Sequence, residues 1–289
     1  MKVLAHAKLN LNLSIVGKRE NGYHEINSIM TNINIGDVVE VNLVKYTDVK
    51  VIMKNCPDIK LEENTAYVAA CKFFEYFNLN NFGAEIKIQK NIPFMAGLGG
   101  SSADVAGVLY CLASLCGMNP FSDKMLDLAS KCGSDVLPML LGGCTKVTGC
   151  GESVVKLPFV VPTVFVVAVG EKCGTKKVYE TYEKLDVPIN TQASQNFLKT
   201  IKTTYADVLN QTAQNDLTEA CCEAYPIQGQ FMQRCAELVG QKPVLTGSGG
   251  AVYWACASEH AASNIIKKLR KNGISVFACS PVQNGVEVI

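Results

Sequence analysis

The chain has 289 residues, 48% of them hydrophobic, so it is long enough to bury a large core and to form two lobes. Its 27 basic and 26 acidic residues nearly cancel, which argues against nucleic acid or an anionic membrane as a partner. The apolar run 157–170 contains two prolines and is shorter than the ~20 residues of a membrane span, and no signal peptide is evident. We therefore expect a cytoplasmic protein that acts on small molecules, as a monomer or homodimer.

The thirteen cysteines are odd in number and include no C-x-x-C pair, and only three histidines accompany them. Many of them fall on apolar positions, such as Cys71, Cys111 and Cys256. This pattern favours buried free thiols over disulfides, and it predicts no metal site built by the protein itself.

Residues 3–16 alternate between apolar and polar side chains, which predicts a strand with one buried face. The polar face carries His6, Lys8, Asn10, Asn12 and Ser14. Periodicity alone favours solvent exposure for this face, although it is unusually rich in hydrogen-bond donors. Asn21-Gly22 predicts a turn, and the alternation over 33–43 predicts that the sheet continues antiparallel.

Asn64 precedes the helical-period run 66–77 and is a good helix N-cap. Residues 84–89 then alternate as a strand, and a glycine-rich loop leads from Pro93 into a helix that ends near Gly117.

This strand, glycine loop and helix predict a phosphate site. Glycines at 97, 99 and 100 allow close approach, and free N–H groups at the helix start attract an anion, with Ser101 or Ser102 available as a cap. The loop has neither the lysine of a Walker A motif nor the third glycine of the dinucleotide fingerprint. The alternative is a tight turn in which glycine serves only packing.

A helix is predicted from Ser122 to Gly133, followed by the segment G-S-D-V-L-P around Asp135. On its own, Asp135 could simply cap the next helix. The second half predicts a strand over 163–169, a helix from Thr175, a helix opened near Asn215, a strand–glycine loop–strand over 244–256, and a final helix and strand over 261–279.

The glycine loop 93–103, the segment around Asp135 and the loop in 244–256 together resemble the three motifs of the GHMP kinase superfamily. The resemblance implies an α+β, two-lobed GHMP kinase fold, with a ribosomal-S5-domain-2-like lobe over 1–155 and a ferredoxin-like lobe over 156–289. It implies ATP as cofactor, with Mg²⁺ carried on the ATP. The residues that it places at ATP are Asn64, Pro93, Phe94, Met95, Ala96, Gly97, Leu98, Gly99, Gly100, Ser101, Ser102 and Ala103.

The segment 7–30, with A-K-L-N followed by N-G-Y-H, is similar to one branch of this superfamily, a kinase of the non-mevalonate isoprenoid pathway. That branch phosphorylates the 2-hydroxyl of an erythritol unit linked to cytidine diphosphate. The resemblance implies Lys8 and Asp135 as catalytic residues. It implies a substrate site formed by Asn10, Tyr23, His24, Thr175 and Tyr179.

Two positions depart from the branch's glycine loop: Ser101 stands where glycine is common, and Ala103 where serine or threonine often sits. Serine at 101 suits a phosphate loop if its φ is negative. Two alternatives remain open at this point, another GHMP kinase for a small alcohol, or a non-catalytic nucleotide sensor on the same scaffold.

Overall fold

The computed structural model describes residues 1–57, 59–158, 164–185, 187, 189, 193–201 and 206–289. The first sheet contains the strands β1 (Lys2–Lys18), β2 (His24–Val44), β3 (Val49–Lys54), β4 (Gly83–Gln89), β5 (Cys144–Gly149) and β6 (Ser153–Lys156). The helices that accompany it are α1 (Thr65–Tyr76), α2 (Gly100–Leu115), α3 (Asp123–Cys132) and α4 (Val136–Leu141).

The hairpin of β1 and β2 is the frame of the first sheet. The two strands pair antiparallel from Lys2 opposite Glu40 to Lys18 opposite His24, with three register shifts along the way. Because β2 is 21 residues long, its N-terminal part also pairs with β5 and its C-terminal part with β4. The antiparallel continuation predicted for residues 33–43 is confirmed.

The apolar face of β1 packs into the main core beneath α2. Gly107 of α2 allows this close contact, since a Cβ there would lie 3.0 Å from Val39 Cγ2 and 3.2 Å from Ala5 Cβ. The helix α3 begins after Ser122 and ends at Gly133, as predicted.

The polar face of β1 is buried too, and the expectation of solvent exposure is wrong. Lys8 is 3% exposed and Asn12 is fully buried. Elements from the second half of the chain cover this face: the Asn10 N–H donates to Thr246 Oγ1 at 3.0 Å, and Ser194 Oγ donates to Asn12 Oδ1 at 2.6 Å. Periodicity could not reveal this, because the covering groups lie far away in sequence.

The second sheet contains β7 (Val164–Val169), β8 (Val244–Leu245), β9 (Ala251–Cys256) and β10 (Val276–Cys279). Its order is β10-β7-β9-β8, and every pair is antiparallel. This is the strand order of the predicted ferredoxin-like fold. The helices of this half are α5 (Thr175–Tyr182), α6 (Ala193–Ile201), α7 (Ala206–Thr212), α8 (Thr218–Ala224), α9 (Pro226–Val239) and α10 (Glu259–Lys271). Residue 163, the first of the predicted strand 163–169, lies outside the described residues.

A last strand, β11 (Val286–Val288), leaves the second half and pairs with β1 at the edge of the first sheet. The lobe boundary at 155/156 stays a prediction. Within the described ranges, none of the helices has the length and apolar character needed to cross a bilayer.

Candidate active site

A cavity of about 920 Å³ is lined by residues from both halves of the chain. Its wall contains every residue predicted to act at the site except Ala103. Ala103 is 1% exposed and belongs to the core beneath α2, so its side chain packs the helix and does not face a ligand. The remaining predicted residues come together from opposite ends of the chain.

The glycine loop turns through three left-handed positions, Met95 at φ 54°, Gly97 at 73° and Gly99 at 75°. Gly99 occupies the N-cap of α2 and, as a glycine, offers no side chain to cap the helix. The expectation that Ser101 or Ser102 caps α2 is therefore wrong: both lie in its first turn, at the cavity wall. In the described part of the chain, no side chain accepts a hydrogen bond from the first N–H groups of this helix. Such a helix start favours an anion.

The backbone of a second glycine loop, residues 246–250, packs directly against the backbone of the first. A Cβ on Gly97 would lie 2.3 Å from the Thr246 carbonyl oxygen, and a Cβ on Gly247 would lie 2.8 Å from the Gly97 oxygen. The Asn215 side-chain amide donates to the Gly247 oxygen at 2.8 Å and fixes this second loop. None of these supporting residues was among the predicted site residues, although the motifs around Asn215 and in 244–256 gave the signal.

Lys8 and Asp135 meet on the cavity wall, where Nζ lies 3.4 Å from Oδ2. The backbone N–H of Lys8 donates to the Leu98 oxygen at 3.0 Å, which ties β1 to the glycine loop. Asp135 precedes α4, yet its carboxylate caps no backbone N–H of that helix. The simple capping alternative for Asp135 is therefore not what the structure shows.

Asn10 is 2% exposed, and its amide is engaged inside the protein. Its Oδ1 accepts from Lys8 Nζ at 2.5 Å and from the Gly247 N–H at 3.0 Å, while Nδ2 donates to Ser28 Oγ at 2.9 Å. These bonds favour a role in holding Lys8 over the direct substrate contact that was predicted.

A second part of the cavity wall, which we call the base end, is aromatic. Tyr23 is 63% exposed on the β1–β2 turn, while the next residue, His24, lies against Tyr179 with ring centroids 5.0 Å apart. Burial lowers the pKa of His24, more than the nearby Glu183 carboxylate raises it, so its imidazole is neutral at neutral pH. Thr175 Oγ1 lies 2.8 Å from Ser248 Oγ, which joins α5 to the second glycine loop.

Asn64 caps α1 as predicted, since its Oδ1 accepts from the N–H groups of Ala66 at 3.0 Å and Tyr67 at 3.4 Å. Its Nδ2 faces Met53 Sδ at 3.1 Å. Asn64 also lies on the cavity wall, and its contact with ATP stays a prediction.

The comparisons with known proteins agree with this geometry. The family model "GHMP kinases N terminal domain" matches residues 64–143. A 4-diphosphocytidyl-2-C-methyl-D-erythritol kinase of Clostridium tetani is 32% identical over 279 residues, covering 96% of this chain and 98% of that protein. The Clostridium botulinum enzyme of the same name is 30% identical with the same coverage.

The chain belongs to the 4-diphosphocytidyl-2-C-methyl-D-erythritol kinase family.

Solved structures extend this result. The crystal structure of a kinase of the same family superposes with a TM-score of 0.74 at 26% identity, covering 98% of this chain and all of that one. A homoserine kinase from Cytophaga hutchinsonii also reaches 0.74, but at 19% identity, a likeness that concerns the fold alone.

Within this kinase family, the two unusual loop positions of the chain are accommodated simply. Ser101 lies inside α2 and is absent from the positive-φ residues, so it meets the condition set for a serine in a phosphate loop. Ala103 faces the core, where a small apolar side chain fits.

A buried charge cluster contacts the glycine loop of this family member, since Lys90 Nζ donates to the Gly100 oxygen at 3.2 Å. Lys90 Nζ donates to Asp104 Oδ2 at 2.6 Å and also pairs with Asp37, and all three side chains are at most 6% exposed. Asp37 additionally accepts from the N–H groups of Asn91 and Ile92, whereas Asp104 Oδ1 has no hydrogen-bond partner among the described residues. Burial therefore raises the pKa of Asp104, to about 8, against the opposing effect of Lys90.

Proposed function

We propose that the protein transfers the γ-phosphoryl group of ATP to the 2-hydroxyl of 4-diphosphocytidyl-2-C-methyl-D-erythritol. The observation that carries the proposal is the Lys8–Asp135 contact at 3.4 Å, placed between a phosphate-type loop and an aromatic base end in one cavity. Phosphoryl transfer depends mainly on positioning and electrostatic stabilisation, and this arrangement offers both.

In this proposal Asp135 orients the attacking hydroxyl and accepts its proton. Lys8 offsets the negative charge that develops on the transferred phosphoryl oxygens. The hydrogen bond from Lys8 to Asn10 and the glycines on either side hold the lysine in place: a Cβ on Gly99 would lie 3.0 Å from Lys8 Cγ, and one on Gly247 would lie 3.2 Å from Nζ.

The N-terminal turn of α2 and the glycine loop hold the ATP phosphates in the same proposal. Mg²⁺ would enter with them and neutralise phosphate charge. Among the described residues no three His, Cys, Asp or Glu side chains form a metal cluster, while the hydroxyls of Ser101 and Ser102 lie at the cavity wall. Such a donor set fits a Mg²⁺ ion held mainly by phosphate oxygens and water.

The contact between Lys8 and Asp135 also argues against a non-catalytic sensor, because binding alone does not need a cation and a carboxylate facing one cavity. The test is a phosphoryl-transfer assay with purified protein, ATP and Mg²⁺, in which the product is identified by ³¹P NMR. The panel is the cytidyl diphosphate compound, homoserine, mevalonate and galactose.

We expect efficient turnover with the cytidyl compound alone. Efficient phosphorylation of one of the other three alcohols, without turnover of the cytidyl compound, would refute the proposed substrate but not the proposed kinase activity. No phosphoryl transfer to any of the four would refute the kinase as well.

A further inference from the structure

The base end of the cavity holds an ion pair that belongs to none of the predicted binding residues. Glu183 follows the last turn of α5, and its Oε1 lies 2.8 Å from Lys18 Nζ. The same oxygen lies 3.5 Å from His24 Nε2. Glu183 lies on the cavity wall together with His24.

Strand register and helix periodicity bring these groups together. Lys18 and His24 are direct partners in the β1–β2 ladder, so they close the end of the hairpin side by side. Tyr179, Tyr182 and Glu183 lie on one face of α5. The rings of Tyr179 and Tyr182 contact the His24 imidazole, with centroids 5.0 and 6.0 Å away. The imidazole is thus enclosed by the helix and by its own hairpin.

We propose that Glu183 is a positioning residue that fixes the tautomer of His24 and thereby sets a preference for cytosine over uracil; this inference rests on the proposed function. A neutral imidazole has one nitrogen that donates and one that accepts. A carboxylate beside Nε2 favours the proton on Nε2, which leaves Nδ1 as the acceptor. In the described part of the chain, no hydrogen bond occupies Nδ1.

The tautomer of His24 affects base preference because cytosine and uracil differ in one hydrogen-bonding group. Cytosine presents a 4-amino donor at the position where uracil presents a carbonyl acceptor. An acceptor at Nδ1 can accept a hydrogen bond from the cytosine amino group. Opposite the uracil carbonyl oxygen, the same nitrogen would place two acceptors against each other with no hydrogen between them. A site built around one such polar edge discriminates strongly against an analogue that leaves the edge unpaired.

Lys18 orients the carboxylate of Glu183 in this arrangement. The Glu183 side chain is 40% exposed and would sample other orientations without the lysine. As an exposed pair, Lys18 and Glu183 contribute little to stability, so their main effect is on the orientation of the carboxylate.

The first experiment is calorimetry of the full chain with cytidine 5′-diphosphate and uridine 5′-diphosphate as probes. Wild type should prefer the cytidine compound, and Glu183→Gln should lower that preference about tenfold or more, mainly by weakening cytidine binding. Glu180→Gln is the matched control, since Glu180 is a carboxylate on the same helix and the same cavity wall whose ion-pair partner is Lys176.

An equal loss of preference in both variants would show a general charge effect and overturn the proposal. An unchanged preference in Glu183→Gln would also overturn it, and so would a wild type that binds the two nucleotides equally well.

A second readout does not depend on activity. The chain has only three histidines, His6, His24 and His260, so their ring nitrogens can be assigned by ¹⁵N NMR. His24 should carry its proton on Nε2 in wild type and become mixed or reversed in Glu183→Gln. A wild-type proton on Nδ1 would overturn the proposal.

Kinetics separate this inference from the proposed function. If the reaction is as proposed, Glu183→Gln should raise KM for the cytidyl substrate and leave kcat and the KM for ATP unchanged. A fall in kcat with unchanged KM would contradict a positioning role at the base. A protein that transfers no phosphoryl group, yet still shows the Glu183-dependent tautomer and nucleotide preference, would refute the reaction and keep this inference.

Discussion

The two ends of the cavity are built in different ways. The phosphate end is one continuous segment, 93–102, which lies on the cavity wall and is supported by a buried charge cluster of Lys90, Asp37 and Asp104. The base end is assembled from side chains of a hairpin and of α5, far apart in sequence, and its ion pair of Lys18 and Glu183 is exposed to solvent. In the proposed function, the phosphates, which many substrates share, are bound by the backbone of a loop, whereas the choice among substrates is made by side chains that can be replaced.

The largest expected effect is a loss of turnover when Asp135, which belongs to neither end, is replaced. Asp135→Asn should keep the fold and lower kcat on the order of 10²–10⁴-fold, the usual contribution of a positioned general base. Turnover should be measured at saturating ATP and substrate, together with thermal unfolding. Asp123→Asn, an exposed carboxylate at the start of α3, is the control and should keep full turnover. Wild-type kcat in Asp135→Asn would remove Asp135 from the chemistry.

At the phosphate end, Gly99→Ala should weaken ATP binding about tenfold or more, which corresponds to about 1.4 kcal/mol. Its φ is 75°, which strains an alanine, and the new Cβ would lie 2.8 Å from Met139 Sδ and 3.0 Å from Lys8 Cγ, so the Met139 side chain must shift and Lys8 is crowded. The measurement is calorimetry with ATP.

The matched control for that change is Gly117→Ala at the other end of α2. Its φ is 70°, but nothing lies within 4 Å of the new Cβ. Both variants bear a left-handed strain of about 1–2 kcal/mol, and only Gly99→Ala should lose nucleotide affinity. Equal ATP affinities would show that the loop only turns the chain.

At the base end, Tyr179→Ala should raise KM for the cytidyl substrate about tenfold, because base–aromatic stacking contributes roughly 1–3 kcal/mol. Steady-state kinetics should show little change in the KM for ATP. Tyr179→Phe keeps the ring and should stay close to wild type. If the alanine variant raised both KM values equally, Tyr179 would be a packing residue and the two ends would not be independent.

The smallest effect concerns the support of the phosphate end. The folded-state pKa of Asp104, about 8, lies above its ordinary value of 3.8, so the folded state binds the proton more tightly than the unfolded state. This group therefore lowers the free energy of unfolding as pH rises from about 4 to about 8. Asp104→Asn cannot ionise and should show a smaller fall in melting temperature between pH 6 and pH 9 than wild type. An equal fall in both proteins would place the titration elsewhere.

The same contrast explains what the sequence could predict. The glycine loop, the Asn64 cap and the bounds of α3 are local patterns, and each appears where the sequence places it. The burial of Lys8 and Asn10 was not predictable from alternation, because it depends on residues 246–250 folding over β1.

The charged pairs at the two ends were not predictable for the same reason. Asp37, Lys90 and Asp104 come from three separate segments, and Glu183 meets His24 only through the packing of α5 on the hairpin. The resemblance to the kinase family predicted that distant residues act together only where both residues belong to family motifs, as for Lys8 and Asp135. It did not cover the residues that hold those motifs in place.

The pairing of β11 with β1 has a consequence for how the molecule is made. Val3 pairs with Val288, so the edge of β1 can be covered only after the chain has been synthesised as far as residue 288. Until then the strand that carries Lys8 has an open edge, and open edges invite pairing with other chains. A chain cut before residue 286 would therefore keep every residue of the cavity wall and yet expose an edge that is prone to aggregate.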